Sequence, residues 1–160
     1  MHLITLDLEA SSLDEHSYPI EVAFVAGKAN GIVTQFSTLI KPRPEWHRNR
    51  GWSAASQAIH GISYDELAAG MDADTVCDIL NSALAGRHVS VDGGTYDEFW
   101  LEHLFAGRER TFQLDHLTGI DPEVFIAAKR NMAPQHRALH DASWLWHALL
   151  RLQPLHDRSR

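Results

Sequence analysis

The chain alternates between short apolar runs and longer segments with helical periodicity. Three strand-like runs rich in Leu, Ile and Val come first, and later apolar positions recur at spacings of three and four. The predicted strands are Leu3–Glu9, Ile20–Ala26, Ile32–Ile40, His88–Val91 and Thr111–Leu114. The predicted helices are Ala54–Ile59, Tyr64–Ala69, Ala73–Ala85, Tyr96–Phe105, Pro122–Arg130 and Ala138–Leu152. This order predicts an α/β fold, a mixed five-stranded sheet with helices on both faces.

Length and composition predict one soluble domain. The chain has 160 residues, of which 44% are hydrophobic and 22% charged, as in ordinary globular proteins. We expect a single domain over residues 1–153 and a short C-terminal tail over 154–160. The single Cys77 excludes an intramolecular disulfide and a cysteine-rich zinc site. No run is long enough for a transmembrane helix, so we expect a cytoplasmic protein without a membrane partner.

Two acidic residues interrupt the first predicted strand. Asp7 and Glu9 are two positions apart, so they lie side by side on one face of the strand. Adjacent carboxylates repel each other and are costly to bury, and hard divalent cations such as Mg²⁺ or Mn²⁺ compensate them. Taken alone, the pair is more typical of an exposed strand end than of a metal site.

Two further acids lie on apolar helix faces. Asp97 shares its face with Leu101 and Leu104, and Asp141 shares its face with Leu145 and Leu149. A first-turn Asp also stabilises the positive end of a helix by about 0.3–1 kcal/mol, which is the alternative interpretation for each one singly. Four acids converging on one interior would need cations, and two Mg²⁺ ions about 4 Å apart would meet that need.

A histidine precedes the last helix. His136 lies five residues before Asp141, a spacing that turns the two side chains about 140° apart on a continuous helix. If both serve one site, His136 must lie in the preceding loop, in the turn that follows Pro134. There it could act as a mobile general base. His140 is the rival, and we expect its side chain to point elsewhere.

A basic and aromatic loop stands out in a chain whose net charge is −7. Residues 41–52 read K-P-R-P-E-W-H-R-N-R-G-W, with Arg48 and Arg50 between Trp46 and Trp52. Cations for phosphates and indoles for bases would suit single-stranded nucleic acid. The equal alternative is a surface loop whose tryptophans pack on the core.

These motifs together resemble the DEDDh 3′→5′ exonuclease family, which includes ribonuclease T, oligoribonuclease and polymerase-proofreading exonucleases. The family's D-x-E motif matches Asp7 and Glu9, and its aromatic–Asp motif matches Y-D-E-F-W-L with Asp97. Its H-x4-D motif, followed by a small residue, matches His136, Asp141 and Ala142. The segment A-I-H-G-I-S at 58–63 also resembles the family. The resemblance implies a ribonuclease H-like fold over nearly the whole chain.

The resemblance implies a function and a set of site residues. The expected activity is metal-dependent hydrolysis of phosphodiester bonds at single-stranded 3′ ends of DNA or RNA, which releases nucleoside 5′-monophosphates. The expected ligands of two Mg²⁺ or Mn²⁺ ions are the four acids, with His136 as the general base. Expected substrate contacts are Ala10, Ser11, Ser12 and His60, together with Trp46, Arg48, Arg50 and Trp52 of the loop. For His60 the alternative is a bond to a loop carbonyl.

Some expectations stay open at this stage. The chain has A-S-S-L after the first motif and V-D-G-G before the second, where many members have Thr-Gly-Leu-like and His-Asn-Ala runs. Asp92 is either an acid near the metals or, more simply, a cap for the next helix. Glu21 is expected near the edge of the site, without being a ligand. The alternative function is a weakly active nucleic-acid-binding or regulatory module of the same fold, and a homodimer is compatible with the resemblance.

Overall fold

The fold is organised around one mixed sheet. A computed structural model describes residues 2–118, 120–129 and 135–152. The sheet has the strand order β4-β3-β2-β1-β5-β6. The strands are β1 Leu3–Ala10, β2 Pro19–Gly27, β3 Val33–Lys41, β4 Met71–Asp72, β5 His88–Ser90 and β6 Gln113–Asp115.

Six α-helices and one 3₁₀ helix surround the sheet in the described part of the chain. The helices are α1 Arg48–Gly51, α2 Ala54–His60, α3 Ala73–Leu84, α4 Thr95–Phe105, α5 Pro122–Lys129 and α6 Ala138–Leu152, and the 3₁₀ helix is Asp65–Ala69. The predicted α/β class, the mixed sheet and the helices on both faces are confirmed. Arg130, Pro134 and the predicted tail 154–160 lie outside the described residues.

The sheet differs from the prediction by one strand. Five strands were expected, and the sixth is β4, in which Ile40 pairs with Met71 and Lys41 with Asp72. A two-residue strand is too short to produce an alternating pattern, so it leaves no sequence signal. The same holds for α1, which has only four residues.

β1 is the central strand, and its pairing explains where the site forms. It runs antiparallel to β2 and parallel to β5. The carboxyl ends of β1 and β5 therefore meet at one edge of the sheet, where helices that follow parallel strands begin. Alternation along β1 sends Leu6 and Leu8 into the core under α3 and α4, whereas Leu3 joins the second core under α6.

Helix α6 is tied to β1 along its body. The Thr5 hydroxyl donates to the Ala142 carbonyl at 2.7 Å, and Trp146 Nε1 donates to the Leu3 carbonyl at 3.3 Å. Ala142 is fully buried, so the small residue after Asp141 allows the helix backbone to approach the strand. These contacts place the start of α6 beside the end of β1.

Candidate active site

Asp7 and Glu9 lie together near the end of β1. Side chains alternate along the strand, so both residues lie on the face of the sheet that α6 covers, which is also the face of Thr5. Oδ2 of Asp7 is buried and has no hydrogen-bond partner among the described residues. A buried carboxylate oxygen without a partner is energetically costly, so this atom is suited to receive a cation.

Asp97 enters the site from the first turn of α4. Its carboxylate is buried, with the residue 2% exposed, and the Gly93 N–H donates to Oδ2 at 2.8 Å. A Cβ atom at position 93 would lie 2.6 Å from Oδ2, so only glycine permits this approach. Gly94, the N-cap residue, has a φ of 63°, which glycine adopts without strain. The V-D-G-G run is therefore a backbone cradle for Asp97.

Asp141 and His136 enter from the start of α6. One ligand atom each from Glu9, His136 and Asp141 lies within 4.8 Å of the other two, a spacing that could hold a metal ion. His136 precedes the first residue of α6, Ala138, so it lies in the loop that the spacing predicted. Its φ is 52°, an uncommon value for a residue with a side chain, and the residue is exposed.

His140 does not point away from Asp141 as expected. Its Nδ1 lies 3.0 Å from Oδ1 of Asp141, which also accepts the Gln135 N–H at 3.2 Å. The prediction that His140 points away from Asp141 rested on helix geometry, because the side chains of adjacent helical residues diverge by about 100°. The short Asp side chain at the helix start allows the contact, and His140 is therefore a neighbour of the site.

Electrostatic crowding marks these acids as a group. Burial, with added repulsion from Glu9, Asp97 and Asp141, raises the pKa of Asp7 well above its usual range. Burial and the charges of Asp141 and Glu21 raise the pKa of Glu9 to about 8. Burial raises the pKa of Asp97 to about 7 despite the Gly93 hydrogen bond. Such shifts are typical of carboxylates arranged to share cations.

A cavity of about 280 Å³ opens onto Asp7, Glu9 and Asp141, whereas Asp97 does not line it. Of the expected substrate contacts, Ala10, Ser12 and His60 line it, alongside the candidate residues Asp7, Glu9, His136 and Asp141. Ser11 serves the fold instead, because its buried hydroxyl accepts the Tyr18 N–H at 3.0 Å.

Three apolar side chains of the cavity wall were missed by the sequence analysis. Leu13, Ile59 and Trp100 line the cavity, and Leu13 and Ile59 are 67% and 58% exposed. Exposed aliphatic side chains beside acids are suited to contact an apolar ligand surface. Their only sequence signal was proximity to the motifs, since Leu13 follows the first motif and Ile59 precedes His60.

His60 is held in one tautomer. The Ile62 N–H donates to Nδ1 at 3.0 Å, so in the neutral ring the proton lies on Nε2. Burial lowers the pKa of His60, which favours the neutral form. Nε2 is buried and has no partner among the described residues. His60 thus lines the cavity and bonds a loop amide, where the alternative expected a loop carbonyl.

The loop tryptophans pack inside the domain. Trp46 is 8% exposed and stacks on Tyr18 with ring centroids 5.4 Å apart. Trp52 meets Tyr64 edge-on at 5.3 Å and donates through Nε1 to Gln57 at 2.9 Å. Of the two equal alternatives from the sequence, these contacts favour core packing, fully for Trp46 and partly for Trp52, which is half-buried.

The loop arginines have different surroundings. The Arg48 guanidinium lies 4.7 Å from the centre of the Tyr64 ring. Arg50 is exposed and lines a second cavity of about 280 Å³, together with His16, His47 and His103. Trp100 connects the two cavities, since it lines the first and donates to Ser17 of the second at 2.9 Å.

Asp92 and Glu21 are both near the acids. Asp92 is exposed, and the N-cap of α4 is Gly94. Gly94 therefore holds the N-cap position that the sequence favoured for Asp92. The charge of Asp92 contributes to the raised pKa of both Asp7 and Asp97. Glu21 lies opposite Glu9 in the β1–β2 register and is 3% exposed.

Comparisons with known proteins identify the fold. No family model matches the chain, and no curated protein matches it. The zinc-bound form of Escherichia coli exonuclease I with single-stranded DNA superposes with a TM-score of 0.68 at 13% identity, over 99% of this chain and 41% of that one. A full-length 3′-exonuclease has a TM-score of 0.68 at 12% identity, over 94% and 80%.

A third similar structure is a 3′-exonuclease with specific recognition of the 3′ end of histone mRNA stem-loop. It has a TM-score of 0.64 at 14% identity, over 94% of this chain and 63% of that one. The chain thus spans about two fifths of exonuclease I. These likenesses confirm that the chain has the same α/β fold as these solved structures. In the described ranges, no helix has the length and hydropathy that a bilayer crossing requires.

Proposed function

We propose that this protein is a metal-dependent 3′→5′ exonuclease of the DEDDh type that acts on single-stranded ends of nucleic acid. The observation that carries the proposal is the buried, unpartnered Oδ2 of Asp7 in a cavity that also holds Glu9, His136 and Asp141. The structural likeness to 3′-exonucleases supports it. The products are nucleoside 5′-monophosphates.

Asp7, Glu9, Asp97 and Asp141 would hold two Mg²⁺ or Mn²⁺ ions. The donor set fits, because hard cations prefer carboxylate oxygens and the raised pKa values of Asp7, Glu9 and Asp97 reflect uncompensated crowding. The metals would supply Lewis-acid stabilisation of the charge that develops on the phosphate. The zinc-bound form of exonuclease I supports a divalent-metal site.

His136 is the proposed general base. A water molecule attacks the terminal phosphorus, its proton passes to His136, and the bond between phosphorus and the 3′ oxygen breaks. The leaving 3′ oxygen takes a proton from solvent and becomes the new 3′ hydroxyl. The exposed loop position of His136 lets the ring exchange its proton with solvent after each cleavage.

The cavity wall is suited to the last nucleotide of a strand. Leu13, Ile59 and Trp100 offer apolar surface to a base, while Ala10 and Ser12 lie beside the acids where a sugar would pass. Arg50 lines the adjoining cavity and would meet a phosphate further along the strand. The complexes of similar proteins with single-stranded DNA and an mRNA stem-loop support a nucleic-acid substrate.

The proposal assigns residues 1–153 to a single exonuclease-like domain. Dimer formation and cytoplasmic location stay predictions that size determination and cell fractionation would test.

The experiment uses 5′-labelled single-stranded DNA and RNA oligomers with Mn²⁺ or Mg²⁺. We expect a ladder that shortens from the 3′ end, no cleavage with EDTA, and no cleavage by Asp7→Ala. Asp65→Asn, which changes an exposed acid on the 3₁₀ helix, serves as the matched control and should cleave like the wild type. Intact oligomers with the wild-type protein would refute the proposal. The ratio of DNA to RNA rates would identify the preferred sugar.

A further inference from the structure

Glu21 is a buried carboxylate on the strand beside the acids. It lies on β2 directly opposite Glu9 of β1. Residues directly opposite in an antiparallel pair project to the same side of the sheet, so both carboxylates face α6. The Glu21 side chain is 4% exposed, which requires strong compensation for its charge.

The charge of Glu21 is compensated by Arg137, in the loop before α6, and by Ala138, the first residue of α6. Arg137 donates from Nη2 to Oε1 at 2.8 Å and from Nε to Oε2 at 3.1 Å, a bidentate pair. The Ala138 N–H donates to Oε2 at 2.9 Å. Ala138 is the first residue of α6, and its N–H is among those without a partner inside the helix. Glu21 therefore fixes both a side chain and the backbone at this point.

The segment that Glu21 holds, Arg137 and Ala138, directly follows His136 in the chain. His136 is bonded covalently to Arg137 and has the uncommon φ of 52°. A backbone in that region persists when surrounding contacts hold it. The body of α6, by contrast, is held through Ala142 and Trp146 by their own bonds to β1. The contacts of Glu21 hold only the start of the helix and the loop residue before it.

We infer that Glu21 is a positioning residue that holds His136 beside Glu9 through Arg137 and Ala138. The catalytic consequence of this inference rests on the proposed function. Without the Glu21 carboxylate, the start of α6 loses its anchor on β2, while the bond from Thr5 to Ala142 still holds the helix next to Asp141. The general base would then spend less time near the reacting water, and substrate binding would change little.

The kinetic test is a double-mutant cycle between Glu21→Gln and His136→Ala. Outer residues that orient a site commonly contribute about 10–100-fold, so we expect kcat of Glu21→Gln to fall by about 10-fold or more with KM within about twofold. In the His136→Ala background, the same change should lower kcat by less than about twofold. An equal loss in both backgrounds, or no loss, would overturn the inference.

Glu66→Gln is the matched control. Glu66 is an exposed acid whose charge also acts on Arg137, but its carboxylate bonds to Ser63 and not to α6. Its kcat should equal that of the wild type. A loss as large as that of Glu21→Gln would show a general charge effect and overturn the inference.

A second measurement is independent of nuclease activity. In protein with ¹³C-labelled histidine rings, the His136 signal is assigned by its loss in His136→Ala. We expect it to shift in Glu21→Gln and to stay in place in Glu66→Gln, and an unchanged signal in Glu21→Gln would overturn the inference. If the wild type cleaves no nucleic acid, the proposed function fails while this spectrum still decides the positioning role.

Arg137→Lys replaces Glu21→Gln in both measurements if the latter does not fold. Lysine keeps the charge but cannot form the bidentate pair. The same kinetic and spectroscopic outcomes then support or overturn the inference.

Discussion

The Gly93 N–H donates to Oδ2 of Asp97 at 2.8 Å, and the space beside this bond cannot hold a side-chain carbon. A Cβ atom would meet the two carboxylate oxygens at 2.6 and 3.0 Å. Asp97 can therefore occupy its place in the site only because residue 93 is glycine.

We predict that Gly93→Ala displaces Asp97 and lowers kcat/KM by about 10–100-fold, as other changes that misplace a metal ligand do. The loss should be smaller at saturating Mn²⁺ than at low Mn²⁺, since weaker metal binding is the cause. Gly31→Ala is the control, because the nearest atom to its Cβ would be 3.4 Å away. Wild-type metal dependence in Gly93→Ala would contradict this account.

Asp7→Asn should stabilise the metal-free protein while removing its activity. Neutralising one member of a crowded buried group relieves repulsion, and we expect a gain of about 1–2 kcal/mol, within the lower part of the range for replaced buried ionic groups. For a domain of this size, that gain corresponds to about 2–8 °C in Tm. Thermal unfolding in EDTA, beside the oligomer assay, measures both effects. A lower Tm for Asp7→Asn would show that the charge of Asp7 is compensated without metal.

Stability of the metal-free protein should fall as pH rises. The pKa of Glu9 is raised to about 8 and that of Asp97 to about 7, so between about pH 4.5 and 8 the folded state holds protons that the unfolded state has lost. The free energy of unfolding therefore decreases across this range as the acids ionise in the fold.

The measurement is Tm against pH with and without Mn²⁺. In EDTA, Tm should be higher at pH 5 than at pH 8, and Mn²⁺ should raise Tm most at pH 8, where the ionised acids bind it. A Tm in EDTA that rises from pH 5 to pH 8 would contradict the proposed crowding.

Thr5→Val should loosen the body of α6. The change removes the 2.7 Å hydrogen bond to the Ala142 carbonyl at nearly constant side-chain shape. Because that carbonyl lies inside α6 and keeps its helical partner, we expect a cost of about 0.5–1.5 kcal/mol. Thr5→Ser keeps the hydroxyl and should retain most of the stability. Denaturant unfolding of the two variants gives the difference, and equal stability would show that the bond contributes little.

Patterns along the chain predict elements better than they predict contacts between them. The bounds of α6 follow from its amphipathic period, and the shared face of Asp7 and Glu9 follows from strand alternation. The bond between Glu21 and Arg137 joins residues 116 positions apart, so no local pattern indicates it. Arg137 in the sequence is an ordinary charged residue beside a helix.

The sequence was also ambiguous where one composition suits two environments. Trp46 and Trp52 lie among basic residues, which fits both nucleic-acid stacking and core packing. Only the three-dimensional contact of Trp46 with Tyr18 separates the two. Gly93 likewise needed coordinates, because a tight approach to Asp97 leaves no mark beyond the glycine itself.

The contact between Thr5 and Ala142 implies that the candidate site is assembled late during synthesis of the chain. It joins residues 137 positions apart, and the candidate acids of β1 meet His136 and Asp141 only across that distance. A ribosome releases β1 long before it releases α6. During synthesis the chain would therefore carry three of its four candidate acids without His136, and the candidate site would be complete only when α6 docks on β1.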